Sequence, residues 1–270
     1  MEFFFDTADT KYIKNIWSKF QYSVNPDSAL GITTNPNAFF KINALKLDEW
    51  IDKTKELCEL TAQIRNDESG LVFVQFPSSL GSISELNKFI NIFHKDFYGS
   101  KIGFKIPPSE KFLIFASNNR DIIWNVTGLS DAGTALKSLV YGVDWISLIP
   151  GRMESVGINF EDNLSFIQNF TLNFSESSRI ITGSMRNIDG LVKCIQYGTV
   201  PTIGTTVFNL IDQEDKYKFV AESSNKKISL PSEMLCPTIN EINKKLSEDF
   251  FKQMDDCGRQ TYKDLSTSIN

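Results

Sequence analysis

Short apolar runs recur along the chain, and a stretch with helical spacing follows almost every one. Phe3-Phe4-Phe5 is a compact run ending in the carboxylate of Asp6, and Tyr12, Ile13, Ile16, Trp17 and Phe20 then recur at helical intervals over 11–20. A second run begins at Ala29 and ends in the polar block Thr33-Thr34-Asn35-Pro36, followed by an amphipathic helix over 47–64. After a turn at Asp67-Glu68-Ser69-Gly70, Leu71 to Pro77 predicts the third strand and Ile83 to Phe97 its helix. Lys101 to Ile106 is the fourth strand, stopped by Pro107-Pro108, with a short helix over 110–116. The fifth and sixth strands are 122–127 and 145–150, with a helix over 131–141 between them. A polar segment over 153–162 leads to a helix over 164–174, then a seventh strand over 179–184 and a helix over 188–197. The eighth strand, 200–205, is the poorest in apolar residues, and 206–211 reads as a helical turn.

Eight alternations of strand and helix predict a parallel sheet covered on both faces, closed as an α/β (β/α)8 barrel over residues 1–211. A doubly wound open sheet would carry a glycine-rich loop after its first strand, and Asp6-Thr7-Ala8-Asp9 has no glycine. Residues 212–270 belong to the same domain. The first part, to Leu230, is polar and irregular. Thr238 to Asp264 then reads as one long charged helix carrying Ile239, Ile242, Leu246, Phe250 and Met254, a stripe that has to be buried across the barrel or against a second subunit.

Composition narrows the function. With 41% apolar and 23% charged residues, a net charge of −5 and no basic tract, the 270-residue chain is ordinary for a globular protein and a poor partner for nucleic acid. No apolar run approaches the roughly 20 residues needed to span a bilayer. Glu2 and Asp6 interrupt the first apolar stretch, so it does not read as a signal peptide, and a cytoplasmic setting is expected. Cys58, Cys194, Cys236 and Cys257 are scattered, and His94, at a helix end, is the single histidine. No zinc constellation or histidine-based hydrolase fits this inventory, and no metal or organic cofactor is expected.

The chemistry collects at the C-terminal ends of the strands, where such barrels build their sites. Those ends carry Asp6, Thr33 with Asn35, Gln75, Lys105, Asn125 with Thr127, Ser147 with Arg152, and Ser184 with Arg186. Lys105 lies inside the run Ile102-Gly103-Phe104-Lys105-Ile106. A buried ammonium costs several kcal/mol unless it is paired or gives up its proton, and the neutral amine attacks carbonyl carbon. Each residue also has a plainer use: Lys105 snorkelling to solvent, Asp6 capping a helix, Asn35-Pro36 making a turn, the two arginines in surface ion pairs.

The ordered set resembles the transaldolase family, and within it the small group that includes the fructose-6-phosphate aldolases. The resemblance rests on Phe5-Asp6-Thr7-Ala8, Gly31-Ile32-Thr33-Thr34-Asn35-Pro36, Val74-Gln75, Phe104-Lys105-Ile106-Pro107, Asn125-Val126-Thr127, Ile146-Ser147 with Gly151-Arg152, and Gly183-Ser184-Met185-Arg186-Asn187, and it covers about residues 1–211. It implies a (β/α)8 barrel with Lys105 as Schiff-base lysine and Asp6 as acid/base. Gln75 and Thr127 would hold a proton-relaying water, and Asn35 and Asn125 substrate hydroxyls. Arg152, Ser184 and Arg186 would hold a sugar phosphate, with Thr33 and Ser147 lining the site. A homo-oligomer assembled through the C-terminal helix is implied as well. Two positions pull apart: Gln75 matches the small aldolases rather than the glutamate of full-length transaldolases, whereas Ile149 stands where the small aldolases have tyrosine and the larger enzymes phenylalanine. The expected activity is transfer of a dihydroxyacetone unit between sugar phosphates, in the pentose phosphate pathway. The alternatives are aldol cleavage alone and a non-catalytic phosphosugar-binding barrel. A phosphosugar isomerase is disfavoured because His94 is badly placed.

Overall fold

A computed structural model describes residues 1–67, 70–96, 101–175, 177–223, 225–230, 237 and 241–267. Glu68-Ser69 of the expected turn, Phe97 at the expected helix end, Cys236, and Thr238 and Ile239 at the expected start of the last helix lie outside the described residues.

Eight parallel strands close into a barrel in sequence order: β1 (Phe3–Asp6), β2 (Ala29–Thr33), β3 (Leu71–Gln75), β4 (Lys101–Ile106), β5 (Ile123–Leu129), β6 (Trp145–Leu148), β7 (Arg179–Thr182) and β8 (Val200–Gly204), with β8 pairing back onto β1. The helices between them are α1 (Thr10–Phe20), α2 (Pro36–Lys41), α3 (Leu47–Arg65), α4 (Ile83–Asp96), α5 (Glu110–Asn118), α6 (Ala132–Val140), α7 (Pro150–Ser155), α8 (Phe160–Phe174) and α9 (Ile188–Gln196). After β8 come α10 (Thr205–Gln213), α11 (Tyr217–Ser223), α12 (Glu241–Cys257) and α13 (Arg259–Thr267). No described helix is long and apolar enough to cross a membrane.

Side chains alternate along each strand, so one set faces the helices and the other the barrel axis. Phe3, Phe5, Ile32, Val72, Val74, Phe104, Val126 and Ile146 face outward into the main core between sheet and helices. The inward set begins with an apolar plug of Phe4, Phe73, Trp145, Ile181 and Val200, its three aromatic rings 5.5–6.0 Å apart. Gly103 makes room for it, since a methyl group there would lie 2.4 Å from the Phe73 ring. Two residues further along, the same inward phase brings up Asp6, Thr33, Gln75, Lys105, Asn125, Ser147 and Thr202. The lower half of the barrel is therefore solid and the upper half polar.

Four elements differ from the sequence reading. Asn35 caps a short helix, α2, with Pro36 in its first turn, where the sequence reading has the polar end of the second strand or a turn. Pro150 likewise opens α7 instead of ending β6. The segment after Ile211 is not irregular throughout, because α11 forms within it. The single long C-terminal helix is two, α12 and α13, divided at Gly258. Gly258 rests against Pro77, whose Cβ would lie 2.9 Å from any side-chain carbon placed there, so the chain turns where it meets that loop.

The last two helices cover the chain's own barrel mouth. Ser247 Oγ donates to the Gly128 carbonyl (3.0 Å) and Ser130 Oγ to the Asn243 carbonyl (2.8 Å), fixing one part of α12 to the end of β5. Asp255 accepts from the Ser79 amide (2.9 Å) and hydroxyl (2.7 Å), fixing the other to the loop after β3. α13 is tied down by Thr261 Oγ1 donating to the Leu45 carbonyl (3.1 Å) and Ser266 Oγ to Glu85 (3.1 Å). Phe250 and Met254 are buried against Ile149 in an apolar cluster separate from the main core.

Candidate active site

Lys105 is 6% exposed and points into the barrel, so its stem does not carry the ammonium to solvent. Its register partners are Gln75 on β3 and Asn125 on β5, whose side chains share its face. Nζ donates to Thr33 Oγ1 at 2.9 Å. Burial lowers its pKa from 10.5 to about 8, with the nearby Asp6 charge acting in the opposite direction. At pH 7 the neutral amine is then about one molecule in ten, against about one in 3,000 for an ordinary lysine.

Asp6 ends β1 and faces the same chamber. Capping of α1 falls to Asp9, which accepts from the Lys11 and Tyr12 amides, so Asp6 is left for the cavity. Burial raises its pKa above the ordinary carboxylate value, offset by the charges of Lys105 and Lys41, a hydrogen bond from Thr202 and the charge of Arg152. Asp6 and Lys105 are thus each pushed toward the neutral form by the same dry surroundings, while each attracts the other's charge.

A chamber of about 30 Å³ is walled by Asp6, Thr33, Lys105, Thr127 and Ser147, with Ile149 and Phe250 as its apolar side. Asn125 accepts from Ser147 Oγ (2.8 Å), but its Nδ2 is buried without a partner among the described residues, as is Gln75 Oε1. Unmade hydrogen bonds of this kind cost about 1–3 kcal/mol each. Both atoms belong to the register neighbours of Lys105, where a bound hydroxyl or water would satisfy them.

Beside the chamber, a pocket of about 140 Å³ is lined by Arg152, Ser184, Arg186 and Lys41. Among the described residues Arg152 makes no ion pair. Its guanidinium lies 5.0 Å from the Phe250 ring centre and donates to Gln253 Oε1 at 2.6 Å. Burial lowers its pKa, and the Arg186 charge adds to that, as expected for two cations turned toward one cavity. Gly151 holds the arginines together: a methyl group there would sit 1.8 Å from the Ser184 carbonyl oxygen, so the loops after β6 and β7 touch backbone to backbone. Ser184 takes a left-handed conformation (φ +58°) at that contact.

All eleven residues singled out in the sequence fall at this end of the barrel. Asn35 lines both spaces, yet its Oδ1 is engaged by the Ala38 amide (2.9 Å), leaving the amide nitrogen for a ligand. The sequence reading missed Thr202, Lys41 and Phe250. Alternation along β8 puts Thr202 on the inward face with Val200, a signal obscured by the strand's low apolar content. Lys41 sits at the end of the unexpected helix α2, and helical spacing marks Phe250 as buried without saying beneath what.

Comparison with known proteins finds relatives of one kind. Curated proteins named probable transaldolase match the chain at 26% identity over 207 residues in Desulfotalea psychrophila (74% of this chain, 86% of that one). The corresponding figures are 26% over 219 residues in Sulfurihydrogenibium sp. (80% and 90%) and 28% over 222 residues in Clostridioides difficile (80% and 90%). This chain is similar to transaldolases. That similarity and the barrel together support an enzyme of aldolase or transaldolase type. No family model matches the chain. Among solved structures, a chain of the Amycolatopsis orientalis BexX/CysO complex shares the fold, at TM-score 0.50 and 9% identity, covering 89% of this chain and 95% of that one.

Proposed function

We propose that the protein is a Schiff-base transaldolase that moves a dihydroxyacetone unit from a ketose phosphate, such as fructose 6-phosphate or sedoheptulose 7-phosphate, to an aldose phosphate. The observation that carries this reading is Lys105, an amine with its pKa lowered to about 8, buried in one chamber with Asp6 and adjoining a pocket lined by Arg152 and Arg186.

The chemistry follows from those positions. Neutral Lys105 adds to the C2 carbonyl, and loss of water gives a protonated imine. Gln75 and Thr127 hold the water that ferries those protons. Asp6 takes the proton of the C4 hydroxyl, the C3–C4 bond breaks, and its electron pair moves into the imine to give an enamine on Lys105. The departing aldose phosphate is replaced by an acceptor aldehyde, to which the enamine C3 adds, while Asp6 returns the proton to the new hydroxyl; water then hydrolyses the restored imine and frees the new ketose phosphate and Lys105. Asn35 and Asn125 orient substrate hydroxyls, Thr33 and Ser147 line the chamber, and Arg152, Ser184 and Arg186 bind the phosphate.

Transfer is favoured over simple cleavage by the apolar wall of Ile149, Phe250 and Met254, which offers no hydrogen bond to a water that would protonate the enamine C3. Gln75 supports the aldolase alternative, and product analysis decides between them. The test of the reading is borohydride reduction in the presence of fructose 6-phosphate, followed by peptide mass spectrometry. A three-carbon adduct on Lys105 is expected. No adduct with any ketose phosphate, in protein that still binds one, would leave the phosphosugar-binding barrel. Assembly into a homo-oligomer is a separate proposal, tested by light scattering. Phe250 and Met254 are already covered within the chain, so contacts between copies would use other residues of α12 and α13.

A further inference from the structure

Phe250 borders both the inner chamber of about 30 Å³ and the outer pocket of about 140 Å³. One water needs roughly 10–15 Å³ of such space, so the inner chamber holds about two. The ring is 5% exposed and belongs to α12, which is hydrogen-bonded to the barrel on both sides of it. Gly128 (φ +76°) leaves room for it and for its neighbour: a methyl group there would lie 2.7 Å from a Phe251 ring carbon and 2.8 Å from one of Phe250. On the pocket side the ring carries the Arg152 guanidinium, and Ile149 and Met254 complete the apolar cluster.

The position matters because the three-carbon enamine has two fates. In transfer, C3 bonds to the carbon of an acceptor aldehyde whose phosphate sits at Arg152 and Arg186. In release, C3 takes a proton instead, water adds to C2 of the restored imine, and the C2–N bond breaks. Its electrons return to nitrogen, and free dihydroxyacetone leaves. Both fates end with water hydrolysing an imine at C2, so the outcome depends on whether water delivers a proton to C3 before an acceptor arrives. Resting on the transaldolase reading, we propose that Phe250 is a specificity-determining residue that sets this partition, by holding an apolar ring between the enamine and the water of the phosphate pocket.

The experiment compares the full chain with Phe250→Ala and Phe250→Leu, supplied with fructose 6-phosphate and erythrose 4-phosphate. It reads the ratio of free dihydroxyacetone to transferred product. The ratio is internal to each protein, so a change in overall rate or in folded fraction does not alter it. An increase of about tenfold is expected for Phe250→Ala, with a smaller one for Phe250→Leu, which keeps part of the apolar volume. If Phe250→Ala does not fold, the Phe250→Leu ratio decides. Ratios equal to wild type would overturn the proposal while leaving the transaldolase reading intact, provided borohydride traps the Lys105 adduct in wild type. Absence of that adduct in wild type would overturn the reading, and this proposal with it.

Discussion

Replacing Lys105 with methionine should abolish turnover and yet stabilise the fold. The side chains have similar length, but methionine brings no charge into the chamber. At 1.36 kcal/mol per pKa unit, the fall from 10.5 to about 8 means that the folded state carries about 3 kcal/mol of destabilisation from this one ammonium. The sign follows from linkage. Below the folded pKa of about 8 both states are protonated and the cost is fully present; above the unfolded value of 10.5 both are neutral and it has vanished. One loss offsets the gain, the hydrogen bond to Thr33, worth about 1 kcal/mol; the attraction between Lys105 and Asp6 is already contained in the net fall to about 8. Lys105→Met should therefore be more stable than wild type by about 1–2 kcal/mol at pH 7 in urea unfolding. By pH 9.5 that advantage should have shrunk by about 2 kcal/mol, since the wild-type amine is by then neutral when folded. Other lysines titrate alike in both proteins and cancel in the difference. A variant less stable than wild type at pH 7, or a difference that ignores pH, would refute the claim that Lys105 is a desolvated amine.

The same amine sets the pH dependence of imine formation: the single-turnover rate of adduct formation should climb through pH 7 to 8 and level off above, and a rate flat between pH 6 and 7.5 would contradict it. Asp6→Asn should still give a borohydride-trapped adduct, now with six carbons, while cleavage falls by about 10²–10⁴-fold; a three-carbon adduct at wild-type yield would remove Asp6 from the cleavage step. Gly151→Ala should cost at least about 2 kcal/mol and raise KM for phosphorylated ketoses, because the methyl can be accommodated only by parting the loops that carry Arg152 and Arg186. Gly157→Ala is its control. That glycine, unlike Gly151, is left-handed (φ +77°), but it has nothing within 4 Å of the added methyl, so only a backbone penalty of about 1 kcal/mol and no change in KM is expected.

The barrel was legible because buried parallel strands leave a coarse signal. Runs such as Leu71 to Val74 are apolar throughout, Trp145 to Leu148 is broken only by Ser147, and the helices between the strands keep their period. Short helices gave no such signal. Pro36 and Pro150 read as strand terminators, although proline is equally at home in the first turn of a helix, and six residues are too few to display a stripe. In the site, residues that break an apolar run stood out: Lys105 and Asp6 are anomalies in their own strands. Thr202 is an unremarkable threonine until the closed barrel brings β8 against β1 and sets its hydroxyl 3.4 Å from Asp6. Phe250 was visible as part of a stripe, but a stripe records only that something is covered, and the site beneath it depends on where the chain returns. The division at Gly258 was hidden for the same reason, since its cause, Pro77, lies far away in sequence.

The pairing of the first strand with the last bears on the chain while it is being made. Lys105 is attenuated as a base only by the dry interior around it, and that interior does not exist until β8 has emerged and docked beside β1. On the ribosome the residue is an ordinary, protonated lysine, inert toward the aldehydes and ketoses of its surroundings. Asp6, made first, waits for about two hundred further residues before its neighbour Gly204 arrives. On the Schiff-base reading, the amine thus gains its lowered pKa only once the ends of the barrel meet, and a chain stalled before that point carries the same atoms without it.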